Sequence, residues 1–182
     1  MKIIKVVLVL LFVQSCGTIP PVDFTVQDVG MVSNRKDIEL KSLTVGFAPK
    51  AQQKVIQMYP GPDFASLWKE ALQDSINRSL IFKDDQNTKI NLSVRITELD
   101  TPEFGTSMTT RTSAIYEIID RSNGDLLFTQ EISSEGIVPF EHAFIGAVRA
   151  IESINRSVRN NIADFINIVE QTDLSNPVFK GE

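Results

Sequence analysis

The side chains that most often carry out chemistry are scarce in this chain of 182 residues, which has one histidine and one cysteine. Glu141 precedes His142, and a neighbouring carboxylate is able to orient a histidine as a general base. No serine occupies a turn suited to a nucleophile, so a polar residue in the first turn of a helix is the simpler interpretation. One histidine and no free thiol are also too few ligands for a zinc site. The sequence therefore predicts no catalytic residue, no metal site and no cofactor.

The cysteine stands at the end of an N-terminal leader. Lys2 and Lys5 flank the start of an apolar run over residues 6–13, and Ser15 precedes Cys16. A short positive region, a short apolar region and a small residue before the cut are typical of a secretory signal peptide. The apolar run is too short to span a bilayer. Cleavage after residue 15 makes Cys16 the first residue, which resembles the bacterial lipobox.

A lipobox implies that the thiol of Cys16 receives a diacylglycerol and the freed amine an acyl chain. Two or three chains make a firm anchor, whereas one holds only marginally, so we predict attachment to a membrane through lipid. In Gram-negative lipoproteins an aspartate after the cysteine favours the inner membrane. Gly17 carries no such signal, so the resemblance implies the periplasmic side of the outer membrane.

Composition limits the remaining function classes. Hydrophobic residues make up 42% of the chain, which suits one globular domain with its own core. The net charge of −5 lacks the basic footprint of a nucleic-acid binder. We divide the chain into a signal peptide at 1–15, a lipidated tether at 16–23, one domain at 24–172 and a flexible tail at 173–182.

Hydrophobic periodicity predicts the order strand, strand, helix, three strands, helix. Asp63 is the expected N-cap of the first helix, and Asn123-Gly124 the expected two-residue turn of a hairpin. That turn would set Ile119 opposite Phe128. The predicted elements are strands at 24–33, 38–47 (irregular near 41–42), 90–97, 107–120 and 125–134, and helices at 63–80 and 139–171.

Two amphipathic helices need one sheet face to cover. We therefore predict an α+β fold: a two-layer sandwich of about five mostly antiparallel strands, with both helices on one face. In the same hairpin register Ile115 would face Ile132. This pair and the pair of Ile119 with Phe128 would be buried together. Phe140 and Phe144 begin the apolar stripe of the final helix.

Charged residues on one side of the final helix form a candidate face for a partner or a ligand: Arg149, Glu152, Arg156 and Arg159. Arginines in such a row are able to contact a phosphate-bearing lipid or an acidic protein, although they also fit a solvated helix face with internal ion pairs. Thr109 and Arg111, on a hydroxyl-rich strand, extend the candidate face to a sheet edge.

Several short runs resemble a family of small proteobacterial lipoproteins across the mature chain. These runs are VQDVG (26–30), LWKEAL (67–72), SMTT (107–110), YEIIDR (116–121), SSEG (133–136) and ESINR (152–156). Members are often labelled UDP-N-acetylglucosamine acyltransferase, but acyltransferases of that name are β-helices of hexapeptide repeats, and this sequence has none. The element order is also similar to the lipopolysaccharide-assembly lipoprotein and to auxiliary lipoproteins of envelope ABC transporters.

These observations favour a non-enzymatic accessory or scaffold lipoprotein with an envelope protein as its partner. The alternatives are a module that binds lipid or glycan in a pocket between sheet and helices and, as the family label suggests, an acyltransferase. Fold alone does not choose among them.

Overall fold

The structure, a computed structural model, describes residues 19–57, 63–101 and 105–181. The leader and Cys16 lie outside the described residues, so cleavage and acylation stay predictions. The predicted chain breaker at residues 60–62 and the loop residues 102–104 lie outside them as well.

Four strands and two helices make up the described fold, which is α+β as predicted. In chain order they are β1 (Glu39–Phe47), α1 (Phe64–Ser79), β2 (Lys89–Asp100), β3 (Met108–Asp120), β4 (Leu126–Val138) and α2 (Gly146–Gln171). Short 3-10 turns occur at Lys50–Gln52 and Phe140–His142.

The sheet is mixed, with the order β1-β2-β3-β4. β1 pairs with β2 in parallel, and the other two pairings are antiparallel. The prediction of about five strands is therefore wrong in number, and the sheet, although mostly antiparallel, contains one parallel pairing, that of β1. The physical reason for the direction is that α1 lies between β1 and β2 and returns the chain to the starting edge.

The first predicted strand, at residues 24–33, is not part of the sheet. This segment lies on the helical layer instead. The Val32 amide donates to Ser79 O at 2.9 Å, and Phe24 and Val26 are buried. Its apolar side chains are spaced irregularly and contact helices, so the segment does not need the strict alternation of a half-buried strand.

Local signals in the first half of the domain are confirmed. Asp63 caps α1, because its carboxylate accepts the Ser66 amide at 3.2 Å. The irregularity expected near residues 41–42 is a register shift between Leu40 and Ser42. Leu80 ends α1 in the left-handed conformation, with φ of 52°.

The register predicted for the β3–β4 hairpin is wrong. Ile118, not Ile119, lies opposite Phe128, and a bulge between Ile118 and Ile119 shifts the ladder by one residue. The turn is longer than two residues: the Asp120 amide donates to Asp125 O at 2.8 Å. Because side chains alternate between faces, this shift buries Tyr116 and Ile118 and turns Ile115 and Ile119 to the other face.

The last helix begins later than predicted. Phe140 lies in the 3-10 turn, Phe144 is 89% exposed, and α2 starts at Gly146 and ends at Gln171 as expected. Pro139 precedes the 3-10 turn rather than the helix. After α2 the chain returns along the start of β4, where the Leu126 amide donates to Phe179 O at 2.8 Å.

Both helices cover the same face of the sheet, since α1 contacts β1 and α2 contacts β3 and β4. The space between the layers is filled by large side chains that are at most 1% exposed: Trp68, Leu72, Ile90, Leu92, Ile96, Ile118, Ile154 and Phe165. Such close packing leaves the outer face of the sheet and the helix ends as the surfaces available for function.

Candidate functional site

A seam of buried polar side chains joins α2 to β3. On α2 the residues recur every four positions, and on β3 they occupy positions of one face. The pairs of this polar seam are Thr110 with Ser153 at 2.8 Å, Thr112 with Ser157 at 2.9 Å and Tyr116 with Asn161 at 2.8 Å. Every pair is buried, so the hydroxyl-rich part of β3 is in large measure structural.

Tyr116 is the centre of the longest chain of hydrogen bonds in the seam. Its hydroxyl donates to Asn161 Oδ1 and accepts from Trp68 Nε1 at 3.3 Å, while Asn161 Nδ2 donates to Ile132 O at 2.8 Å. The ring stacks on Phe165 with the centroids 4.4 Å apart. Complete burial raises the pKa of Tyr116, so the phenol stays protonated as a donor.

At Gly136 the backbones of β4 and α2 come into direct contact. A Cβ atom at this position would lie 2.1 Å from Ser153 O and 2.4 Å from Ser157 N. Only glycine leaves room for an approach this close.

Side chains of α2 also form hydrogen bonds with the backbone of β4. Four β4 carbonyls accept from them: Ser134 O from Ser157 Oγ (3.0 Å), Glu135 O from Asn160 Nδ2 (2.8 Å), Ile137 O from Arg156 Nη1 (3.0 Å) and Ile132 O from Asn161 Nδ2. These hydrogen bonds hold α2 against β4. Within the described ranges, β1 and β4 are the two outermost strands of the sheet.

Of the charged residues predicted on the final helix, Arg149 is enclosed, with 4% of its surface exposed. Its guanidinium donates to Ala143 O at 2.6 Å, to Phe144 O at 3.0 Å and to Gly105 O at 3.2 Å. It also lies 4.9 Å from the centroid of the Phe140 ring. Arg149 thus holds the loop before α2 in place.

The other three residues of that group lie nearer the surface, in ion pairs. Arg156 Nε donates to Glu152 Oε1 at 2.8 Å, and Arg159 Nη2 lies 3.4 Å from Asp23 Oδ2. The structure therefore does not present the four residues as one free charged row.

Thr109 and Arg111 belong to the outer face of the sheet, which neither helix of the described residues covers. We call this surface the open sheet face. Two pairs of its charged residues join neighbouring strands: Arg95 with Glu117 at 2.9 Å and Arg111 with Glu135 at 2.6 Å. A third pair joins Lys54, which follows the first 3-10 turn, to Glu131 of β4 at 2.9 Å. Of the residues on this face, sequence analysis identified only Thr109 and Arg111. The members of each charge pair are distant in sequence, so their pairing is not visible there.

Glu131 is the acidic centre of the open sheet face. It accepts from Lys54 and, at 2.8 Å, from the Thr97 hydroxyl. These hydrogen bonds lower the pKa of the Glu131 carboxyl below its usual 4.5. The carboxylate is therefore charged at neutral pH, as a docking surface for a charged partner needs.

The segment from Pro21 to Asn34, which we call the strap, lies along α2 in the same direction as the helix. Near its start, the Asp23 amide donates to Asn155 Oδ1 at 3.0 Å. Near its end, the Ser33 amide donates to Glu170 Oε1 at 2.7 Å. The N-terminal end of the strap therefore points toward the N-terminal end of α2.

Three exposed apolar side chains, the apolar tip, crowd the N-terminal end of α2. Phe144 is 89% exposed, Phe140 47% and Ile145 40%, and the two rings meet edge to face at 6.5 Å. Ile145 is also the N-cap of α2 and supplies no side-chain hydrogen bond there. Serine, threonine, aspartate or asparagine would stabilise that position, so local helix stability does not explain the isoleucine.

His142 is exposed in the 3-10 turn. Among the described residues, no group of three or more histidine, cysteine or acidic side chains has the geometry to hold a metal ion. The same part of the chain contains no helix long and apolar enough to cross a membrane.

The fold and these surfaces define a small two-layer α+β domain with a covered sheet face and an open one. The family models and the curated proteins contain no match to the sequence.

Among solved structures, a Xanthomonas campestris protein of the DUF330 family is similar with a TM-score of 0.55 and 9% identity, over 84% of this chain and 95% of that one. This likeness shows a shared fold. A minor lipoprotein from Acinetobacter baumannii gives 0.46 and 10% over 74% and 91%, and a candidate lipoprotein from Caulobacter crescentus 0.45 and 11% over 74% and 89%.

Proposed function

We propose that this chain is a lipoprotein of the outer membrane, anchored through Cys16 and facing the periplasm. It serves as a non-enzymatic accessory or scaffold subunit of an envelope assembly or transport system. The leader that ends at Cys16 supports the anchor, and Gly17 supports the outer membrane. The fold shared with the DUF330 protein is consistent with this class.

The observation that carries the accessory role is the open sheet face. Its charged residues pair with one another across the outer surface, while the interior between the layers is packed with side chains. Paired surface charges contribute little to stability but do select a partner of complementary charge. Thr109 and Arg111 lie on this face, and we assign partner docking to it.

Two measurements test the proposal. Labelled palmitate should enter the wild-type protein, and Cys16→Ala should abolish the uptake. Affinity capture of the lipidated protein from membranes should then recover an envelope protein at fixed stoichiometry, and Arg111→Glu should reduce that recovery. Lys69→Glu is the matched control, because it makes the same charge change on the exposed side of α1. Equal loss with both variants, or recovery of no partner, would contradict docking on this face.

A lipid- or glycan-binding role is the second candidate, and one cleft favours it. Strap residues 26–33 and the facing side of α2 enclose about 570 Å³, with Arg159 and Glu170 among the lining residues. That volume suits a small ligand. Native mass spectrometry of the purified lipoprotein tests this role, and absence of any bound species would reject it.

A further inference from the structure

We infer that the apolar tip is a second membrane contact, by which the domain rests on the same lipid surface that holds its anchor. This inference deepens the proposed function and rests on it, because it requires acylation at Cys16. The occupant is the interfacial layer of a phospholipid bilayer, between head groups and acyl chains.

The first argument is the direction of the strap. Its residues meet α2 in order: Pro21 and Asp23 at Asn155, then Ser33 at Glu170. Followed backward, the chain therefore leaves Asn155 toward the N-terminal end of α2.

The second argument is distance. At the rise of an α-helix, Gly146 lies about 14 Å from Asn155 along the axis. The chain from Pro21 back to Cys16 can extend at most about 18 Å. The lipid anchor is thus able to reach the level of the apolar tip.

The third argument is the chemistry of the tip. Aromatic and aliphatic side chains on a short turn are suited to the lipid interface, where apolar groups bury about 5–10 Å deep. Phe144 is 89% exposed, and its ring meets that of Phe140, another residue of the tip. Ile145 occupies an N-cap position where a polar residue would give a more stable helix. Departures from a local rule of this kind are typical of functional positions.

The position beneath the tip is rigid, which a contact surface requires. Arg149 binds the carbonyls of Ala143 and Phe144 and lies against the Phe140 ring. The tip is therefore presented in a fixed orientation rather than on a free loop.

The test places one fluorophore on the full lipoprotein. Cys16 is the sole cysteine and its thiol is consumed by the lipid, so Phe144→Cys creates a uniquely reactive thiol. Ser122→Cys is the matched control, because it lies in the exposed β3–β4 turn at the other end of β4. Each labelled variant is reconstituted in vesicles of phosphatidylethanolamine with a minor fraction of phosphatidylglycerol.

We expect the label at 144 to lose its accessibility to aqueous iodide and to be quenched by lipids that carry a spin label near the head group. The label at 122 should stay fully accessible. Ile145→Ser in the Phe144→Cys background should restore iodide access in part while raising the thermal midpoint, which a purely structural role of the tip would not produce.

The other outcomes are distinct. A label at 144 that stays accessible, on protein that carries palmitate and sediments with the vesicles, overturns the inference and leaves the proposed function standing. Protection that fades as the protein is diluted in the membrane assigns the tip to a second copy and also overturns the inference. Absence of palmitate refutes the anchor itself, and with it both proposals.

Discussion

Replacing Gly136 by alanine tests the contact on which the two layers depend. The new methyl would lie 2.1 Å from Ser153 O, whereas ordinary contact begins at 3.4 Å. The two nearest atoms, Ser153 O and Ser157 N, belong to the backbone of α2. The helix must therefore move away by about 1 Å or more. Gly46 in β1 is the matched control, since nothing lies within 4 Å of a Cβ there.

The displacement would break hydrogen bonds that rely on the close approach. These are the bonds from Ser157 and Asn160 to β4 and the seam pairs of Ser153 and Ser157 with β3. At about 1 kcal/mol for each bond, the loss is about 4 kcal/mol. Since a domain of this kind has a total stability of about 5–15 kcal/mol, Gly136→Ala should remove a large part of it.

Urea unfolding followed by the fluorescence of Trp68, the sole tryptophan and 1% exposed, measures both variants. With a slope of about 2 kcal/mol per molar urea, we expect Gly136→Ala to lower the midpoint by about 2 M. Gly46→Ala should change the unfolding free energy by less than about 1 kcal/mol, with stabilisation favoured. Equal midpoints for the two variants would refute the close packing of α2 on β4.

Three further predictions concern buried and ionised groups. Tyr116→Phe should cost about 2 kcal/mol of unfolding free energy in urea, because Asn161 Oδ1 and Trp68 Nε1 lose their partner while the ring stack remains. Arg149→Met should cost about 3 kcal/mol in the same assay, since the carbonyls before α2 lose a charged donor. The pKa of Glu131 is lower in the folded protein than its unfolded value of 4.5. Its contribution to the unfolding free energy is therefore present above pH 4.5 and is lost as the pH falls through the folded pKa. Glu131→Gln should therefore make the acid loss of stability below about pH 4.5 shallower in a pH series of urea titrations.

The parts of the fold that sequence analysis predicted correctly are those with a strong local signal. Asp63 before an amphipathic run fixed the start of α1, and the break at Lys41-Ser42 located the bulge of β1. Both signals depend on neighbours in sequence, so no knowledge of tertiary contacts was needed.

The hairpin register and the strand direction depended on tertiary contacts. Ile115, Tyr116, Ile118 and Ile119 place apolar side chains on both faces of β3, so alternation alone does not choose the buried face. The longer turn and the bulge at Ile118 decide it, and neither is visible in the Asn-Gly dipeptide.

The candidate site also depended on tertiary contacts. Arg149 was grouped with other charged residues of the last helix, yet it stands four positions before Ser153 and so faces the sheet with the polar seam. Serine, serine and asparagine at steps of four, matched to hydroxyls on one face of a strand, were the signal that would have revealed the seam. Short polar residues at such spacing look like a solvated face until the partner strand is known.

The two proposed surfaces consist of different residues, and their relative position follows from the opposite directions of α2 and β4. Ile132 meets Asn161 and Ser134 meets Ser157, so the end of β4 lies beside the start of α2. If the apolar tip rests on the bilayer, the β3–β4 turn projects away from it, by about 40 Å along β4. The open sheet face then extends from the tip toward that turn. Thr109 and Arg111 lie at its end nearer the bilayer, because they are opposite Ile137 and Glu135 near the end of β4. In the labelled Phe144→Cys background, Arg111→Glu should alter partner capture and leave the label's protection from iodide intact, whereas Ile145→Ser should do the reverse.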